Sequence, residues 1–176
     1  MTAKGILSPP DGAGAEPHRS RRLIAGVGNP YGGDDGVGLV VPRLVHERIG
    51  GQSGTELAEL TGSAFDVAER ISGYDRVILI DALIDDSAPP GCLKRIELAE
   101  CVGDTSFGLH SVGLAHALQL TRLAGGAVPS EVVVYGITVR QPFEFSEELS
   151  PALQARLPEI VCQICDAESE ADRAGR

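Results

Sequence analysis

The sequence contains no tryptophan, three tyrosines and four phenylalanines, so aromatic side chains make up 4% of a chain that is 43% hydrophobic. A core built from it must be mainly aliphatic, which is the packing expected of a buried parallel sheet. A basic surplus is also missing: 15 Lys and Arg stand against 25 Asp and Glu, for a net charge of −10. Phosphate backbones need a cationic footprint, so nucleic acid is excluded as the main partner. No apolar run approaches the length of a membrane span, and the N-terminus has no signal-peptide core. A cytoplasmic protein with no membrane partner is therefore expected. The four cysteines, Cys92, Cys101, Cys162 and Cys165, suit that compartment as free thiols. Only Cys162 and Cys165 form a C-x-x-C. With no second such pair, and with a late helical pattern around them, they are two small apolar residues one turn apart.

What is present fits one domain of 176 residues with room for its own core. Residues 1–21 are rich in Gly, Pro, Ser and charge without an apolar period, so a disordered leader is expected there, which discounts His18 as a ligand. The domain is expected over 22–167 and a polar tail over 168–176. Strands are predicted at Leu23–Val27, Thr55–Leu60, Arg76–Asp81, Cys92–Leu98 and Glu131–Val139. Helices are predicted at Gly36–Ile49, at Ala64–Ile71, from His110 onward, and at Ser150–Cys165. The third strand carries four aliphatics in a row, as a strand covered on both faces requires, and ends on Asp81. The fourth alternates apolar with charged residues, the pattern of an edge. Pro42 lies beyond the first turn of its helix, so that helix either kinks there or becomes regular only near Val41. Strands alternating with helices give an α/β fold, a three-layer sandwich with a largely parallel sheet.

The chain is organised around Gly26–Gly38, GVGNPYGGDDGVG, which reads as a strand-to-helix turn with glycines where the backbone needs positive φ or close approach. A dinucleotide fingerprint would need a third glycine where Tyr31 stands. The turn is also longer than that motif allows, and two carboxylates at the helix start would repel a phosphate. A cation suits the place better. Asp34 reads as an N-cap, whereas Asp35 reads equally as a first-turn acid favoured by the helix dipole or as a ligand. Asp81 stands where open parallel sheets gather ligands, or else caps the following turn. His110, at a loop-to-helix junction, is a ligand or a structural hydrogen-bonder. His116 lies about 240° further round that helix and cannot easily share a metal with it. His46 is a solvated helix residue. If the first and third strands are neighbours, Asp35 and Asp81 meet at one sheet edge with His110 able to cover them. Two carboxylates and an imidazole then form a divalent-metal donor set with open positions.

The motifs GVGNPYGGDDGVG, the strand ending at Asp81, His110 in GLHSVGL and the late strand VVVYGITV resemble those of the hydrogenase maturation proteases, over roughly Leu23 to Ala167. The resemblance implies a five-stranded sheet between helices, with metal ligands at Asp35, Asp81 and His110, which are also the catalytic residues if the metal site is the reaction site. It implies substrate contacts at Asn29 and at Thr61, Gly62 and Ser63. The last three stand where the family usually has Gly-Gly-Thr. The implied activity is removal of the C-terminal extension from the large-subunit precursor of a nickel–iron hydrogenase after nickel insertion, the metal arriving with the precursor. Zinc, manganese or cadmium could occupy the same donors as surrogates. A monomer is expected. The alternative is a checkpoint or chaperone that senses nickel in a hydrogenase subunit without cutting it.

Overall fold

The computed structural model describes residues 21–51, 54–98, 109–140 and 145–174, with the side chains of 97 and 109–112 outside that description. The expected leader, apart from Arg21, and Cys101 lie outside the described residues. The elements follow as β1 (Arg22–Val27), α1 (Val37–Ile49), β2 (Thr55–Leu60), α2 (Ala64–Ile71), β3 (Arg76–Ile84), β4 (Leu93–Glu97), α3 (Leu109–Leu123), β5 (Glu131–Val139) and α4 (Pro151–Ala174). The five strands form one sheet in the order β2-β1-β3-β5-β4. All pairs are parallel except β4 with β5, so the charged, alternating strand is an antiparallel edge as its pattern predicts.

Each strand divides its side chains between two cores, because successive residues point to opposite faces. On one face Leu23, Ala25, Val27, Val77, Leu79, Val132 and Val134 pack with Val67, Ile71 and Leu114 of α2 and α3. On the other, Ile24, Ile78, Ile80, Val133, Ile137 and Val139 pack with Val41, Val45, Leu153 and Ile160 of α1 and α4. The result is the three-layer α/β sandwich, almost wholly aliphatic. Tyr135 is the one aromatic among the largest fully buried side chains of the described residues. No helix among those residues is long and apolar enough to cross a membrane.

Two boundaries differ from expectation by more than one residue. The polar stretch 168–176 is not a tail as far as Ala174, because α4 continues to that residue. Its acids meet half-buried cations at the amino ends of the strands. Glu168, 1% exposed, accepts hydrogen bonds from Tyr135 Oη and Arg76 Nη2, each at 2.8 Å. Arg76 Nη1 also reaches Glu131 at 2.6 Å, and Arg22 pairs with Asp172. A polar sequence therefore makes a part-buried ionic seam centred on Glu168, which hydropathy alone reads as solvated. The second difference is β3, which runs three residues past Asp81 because β5 stays beside it to the Ile84–Val139 pair.

Pro42 neither delays nor ends α1. The helix starts at Val37 with the proline inside it. The carbonyl that Pro42 leaves without a helical N–H donor is that of Gly38, and this carbonyl lies directly against Gly26 of β1. A Cβ on Gly26 would overlap it, and a Cβ on Gly38 would overlap the Val27 carbonyl oxygen. The two glycines thus let the helix start press onto the end of β1, which fixes everything in the loop between them.

Candidate functional site

That loop is built around Asn29. Its peptide N–H donates to Asp35 Oδ2 at 2.7 Å, its side-chain oxygen accepts from the Tyr31 N–H at 3.0 Å, and its carbonyl accepts from the Gly32 N–H at 3.0 Å. Asp34 and Asp35 occupy a 3-10 turn, Gly33–Gly36, entered through Gly33 at φ 56°. The two acids then separate in role. Asp34 does not cap its own helix; its carboxylate accepts from the Ser150 N–H at 2.6 Å and the Ser150 hydroxyl at 2.9 Å. Ser150 in turn accepts from the Leu153 N–H and is the N-cap of α4, with Pro151 in the first helical position. Asp35 stays half-buried, its carboxylate held by the Asn29 peptide, and the turn that carries it contacts β3.

Asp81 is 4% exposed and lies opposite Val27, the last residue of β1. It is not the end of its own strand, but it is the last residue of β3 that β1 accompanies. Alternation places it on the same face as Val77 and Leu79, the face of α2 and α3. The first and third strands are neighbours, as the metal-site reading requires, so Asp35, in the turn that follows β1, and Asp81, on β3, come to one edge of the sheet.

Thr61, Gly62 and Ser63 follow β2 at that same edge, exposed. Gly62 takes φ 111°, which a side chain rarely adopts. Ser63 and Asp66 form a capping box: the Ser63 hydroxyl oxygen accepts from the Asp66 N–H at 3.3 Å and the Ser63 N–H donates to Asp66 Oδ2 at 2.7 Å. The Ser63 hydroxyl, which also donates to Asp66 Oδ2 at 2.6 Å, and then the Ser63 N–H hold the Asp66 carboxyl below its usual pKa. The loop is thereby locked onto the start of α2.

His110 belongs to the first turn of α3; its side chain lies outside the described part of the chain. The helix start is placed by its neighbours. Gly113, one turn later, faces Ala64 so closely that a Cβ on it would stand 3.1 Å from the alanine Cβ. Leu114 closes against Val27, Gly62, Ala64, Val67 and Leu79 around one small gap. The backbone of His110 therefore starts α3 beside the 61–63 loop, on the face of Asp81. Among the described residues no group of three or more His, Cys, Asp or Glu is already assembled for a metal ion. Two carboxylates at the end of a β1–β3 pair can bind a cation, hold a basic group, or accept a proton from water.

Sequence reasoning placed a helix start at Ser150 but missed its bond to Asp34 and the contacts of Phe145 and Ser146. Ser146 donates its N–H to the Tyr31 carbonyl at 3.1 Å and accepts the Gly33 N–H at 2.8 Å, making a bridge between strands of one residue each. Phe145 stacks on Tyr31 with ring centroids 5.9 Å apart and planes 5° from parallel. Ser-Pro at a helix start was a readable signal for Ser150. Ser146 and Phe145 carry none, because their partners lie more than a hundred residues away.

The fold is that of solved hydrogenase maturation endopeptidases. HybD from Escherichia coli is 22% identical, with TM-score 0.63 over 86% of this chain and 93% of that one, a likeness of fold. The [NiFe] hydrogenase maturation protease HybD from Thermococcus kodakarensis is 26% identical, with TM-score 0.62 over 84% and 97%. In sequence, residues 52–167 match the hydrogenase maturation protease family model, and the chain belongs to that family. The matched span includes Thr61–Ser63, Asp81 and His110; Asn29 and Asp35 precede it. The hydrogenase expression/formation protein HoxM from Azotobacter vinelandii is 28% identical over 138 residues, which are 77% of this chain and 66% of that relative. The chain thus spans about two thirds of the length of the curated relatives it matches.

Proposed function

We propose that this protein is the endopeptidase that removes the C-terminal extension of a nickel–iron hydrogenase large-subunit precursor once nickel has been inserted. The precursor carries the nickel as part of the substrate, and Asp35, Asp81 and His110 complete its coordination. The observation that supports this most directly is that, in a chain of this family, Asp35 and Asp81 stand at one edge of neighbouring strands with the start of α3 alongside. Nickel bound between precursor and protease would polarise the scissile carbonyl or lower the pKa of a water.

The chain's own residues do the positioning. The Asn29 peptide N–H fixes the rotation of the Asp35 carboxylate, so the ligand does not have to be ordered at the moment of docking. Burial of Asp81 keeps water away from one side of the site and strengthens its attraction for a cation. The rigid 61–63 loop and Asn29 contact the precursor, and docking through the metal brings one peptide bond to the carboxylates. No serine or cysteine with a paired base is invoked. Nickel-loaded and nickel-free precursor are each incubated with the protein and weighed intact. Loss of a C-terminal fragment from the loaded form alone is the expected result. Binding of the cognate precursor with no change of mass would replace this reading with that of a non-cutting checkpoint.

A further inference from the structure

Tyr31 and Phe145 are 50% and 87% exposed, yet they stack on each other. Phe65, on the first turn of α2, is 59% exposed. These three are the exposed aromatic side chains among the described residues, and each follows the carboxyl end of a strand: β1 for Tyr31, β2 for Phe65, β5 for Phe145. In a chain so poor in aromatics, exposing three of them around one sheet edge serves no packing purpose. The Tyr31–Phe145 pair is also held in place from below. The Tyr31 N–H is tied to Asn29, whose own N–H is tied to Asp35, and the Tyr31 carbonyl is tied to Ser146, next to Phe145. The stack therefore keeps a fixed position relative to the Asp35 carboxylate, at little further entropic cost on binding.

We propose that the Tyr31–Phe145 stack is a specificity-determining subsite that grips the polypeptide substrate next to Asp35; this rests on the endopeptidase reading above. Its occupant is an extended segment of the precursor adjoining the scissile bond, carrying an apolar side chain against the rings. The exposed acids Glu147 and Glu148, immediately after the stack, make the flanking positions suit neutral or basic residues rather than acidic ones. Rigid aromatics of this kind bury much area for few rotatable bonds, as binding hot spots do.

The test uses the full chain and the nickel-loaded precursor, with affinity from calorimetry and turnover from intact mass. Y31A and F145A each raise KM and Kd about tenfold with kcat within about twofold. The double variant is little worse than either single one, because each ring is the other's support. Y31F, which keeps the stack, restores most of the affinity, and L123A, an exposed apolar residue at the far end of α3, changes neither constant. Unchanged Kd and KM in Y31A and F145A would overturn the subsite, provided the wild type binds. A wild type that binds without cutting would overturn the endopeptidase reading alone, with the variants' Kd values still deciding the subsite. A wild type that neither binds nor cuts would overturn both.

Discussion

The peptide N–H of Asn29 donates to the Asp35 carboxylate at 2.7 Å, so the loop after β1 fixes the direction of one candidate ligand through its own backbone. Replacing Asp35 with Asn keeps the shape and allows the amide oxygen to accept the same bond, while removing the charge. D35N and D81N are expected to lower precursor cleavage at least about 100-fold, ~2.7 kcal/mol in the barrier. For D35N, Tm should stay within a few degrees of wild type. Cleavage rates measured beside a melting curve check this, and wild-type cleavage by both variants would remove the carboxylates from the mechanism.

The contact between Gly26 and Gly38 has no space for a side chain. G38A should cost about 3 kcal/mol or more in urea unfolding, because the added methyl meets backbone rather than a movable side chain. G51A, where nothing stands within 4 Å of the new Cβ, should change stability by no more than about 0.5 kcal/mol.

Glu168 joins Tyr135 and Arg76 in the part-buried seam. E168A should destabilise the fold by about 3 kcal/mol, since it takes the acceptor from a buried hydroxyl and leaves the half-buried Arg76 guanidinium with Glu131 as its remaining carboxylate partner. E168Q, which keeps an acceptor, should cost less, as denaturant midpoints would show.

Burial, and then the neighbouring Glu168 carboxylate, push the Tyr135 hydroxyl above its ordinary pKa of 10. Tyr135 then ionises in the unfolded chain before it does in the folded one. Its contribution to stability is complete below pH 10 and is lost as pH rises toward the folded-state pKa, by at most about 1.4 kcal/mol per pH unit. Y135F should lack this part of the alkaline slope. Unfolding curves of the two proteins between pH 9 and 11 make the comparison.

The Ser63–Asp66 box stiffens the loop proposed to meet the precursor. S63A should lower Tm by about 2–4 °C and raise KM more than it lowers kcat. The Asp66 carboxylate, held below its usual pKa, supports the box above pH 4 and releases it as pH falls through the lowered value. The S63A defect should therefore shrink in acid.

Much of the fold was legible because its signals are local. Val77–Ile80 can only be a strand covered on both faces, and Ser63 with Asp66 marks a helix start within four residues. The placement of Asp35 and Asp81, though not their role, was legible for a related reason: the first follows β1 and the second lies beside its last residue, a strand end that periodicity locates. Features that depend on distant partners were not. Glu168 looks solvated until Arg76 and Tyr135 are brought to it, and β3 looks finished at Asp81 until β5 is laid beside it. Asp34 looks like a cap for its own helix, and only the approach of Ser150 shows that it serves another.

The seam between α4 and the strands also sets an order on biosynthesis. Arg22 opens the first strand and Asp172 lies 150 residues later, so the first cation of the sheet waits for its counter-charge until nearly the whole domain has been translated. Up to that point Arg22, Arg76 and Tyr135 have no acids from α4. A nascent chain paused before residue 168 holds a sheet whose amino-terminal edge is unsatisfied, and it should stay open to proteolysis and chaperone capture until the last helix docks.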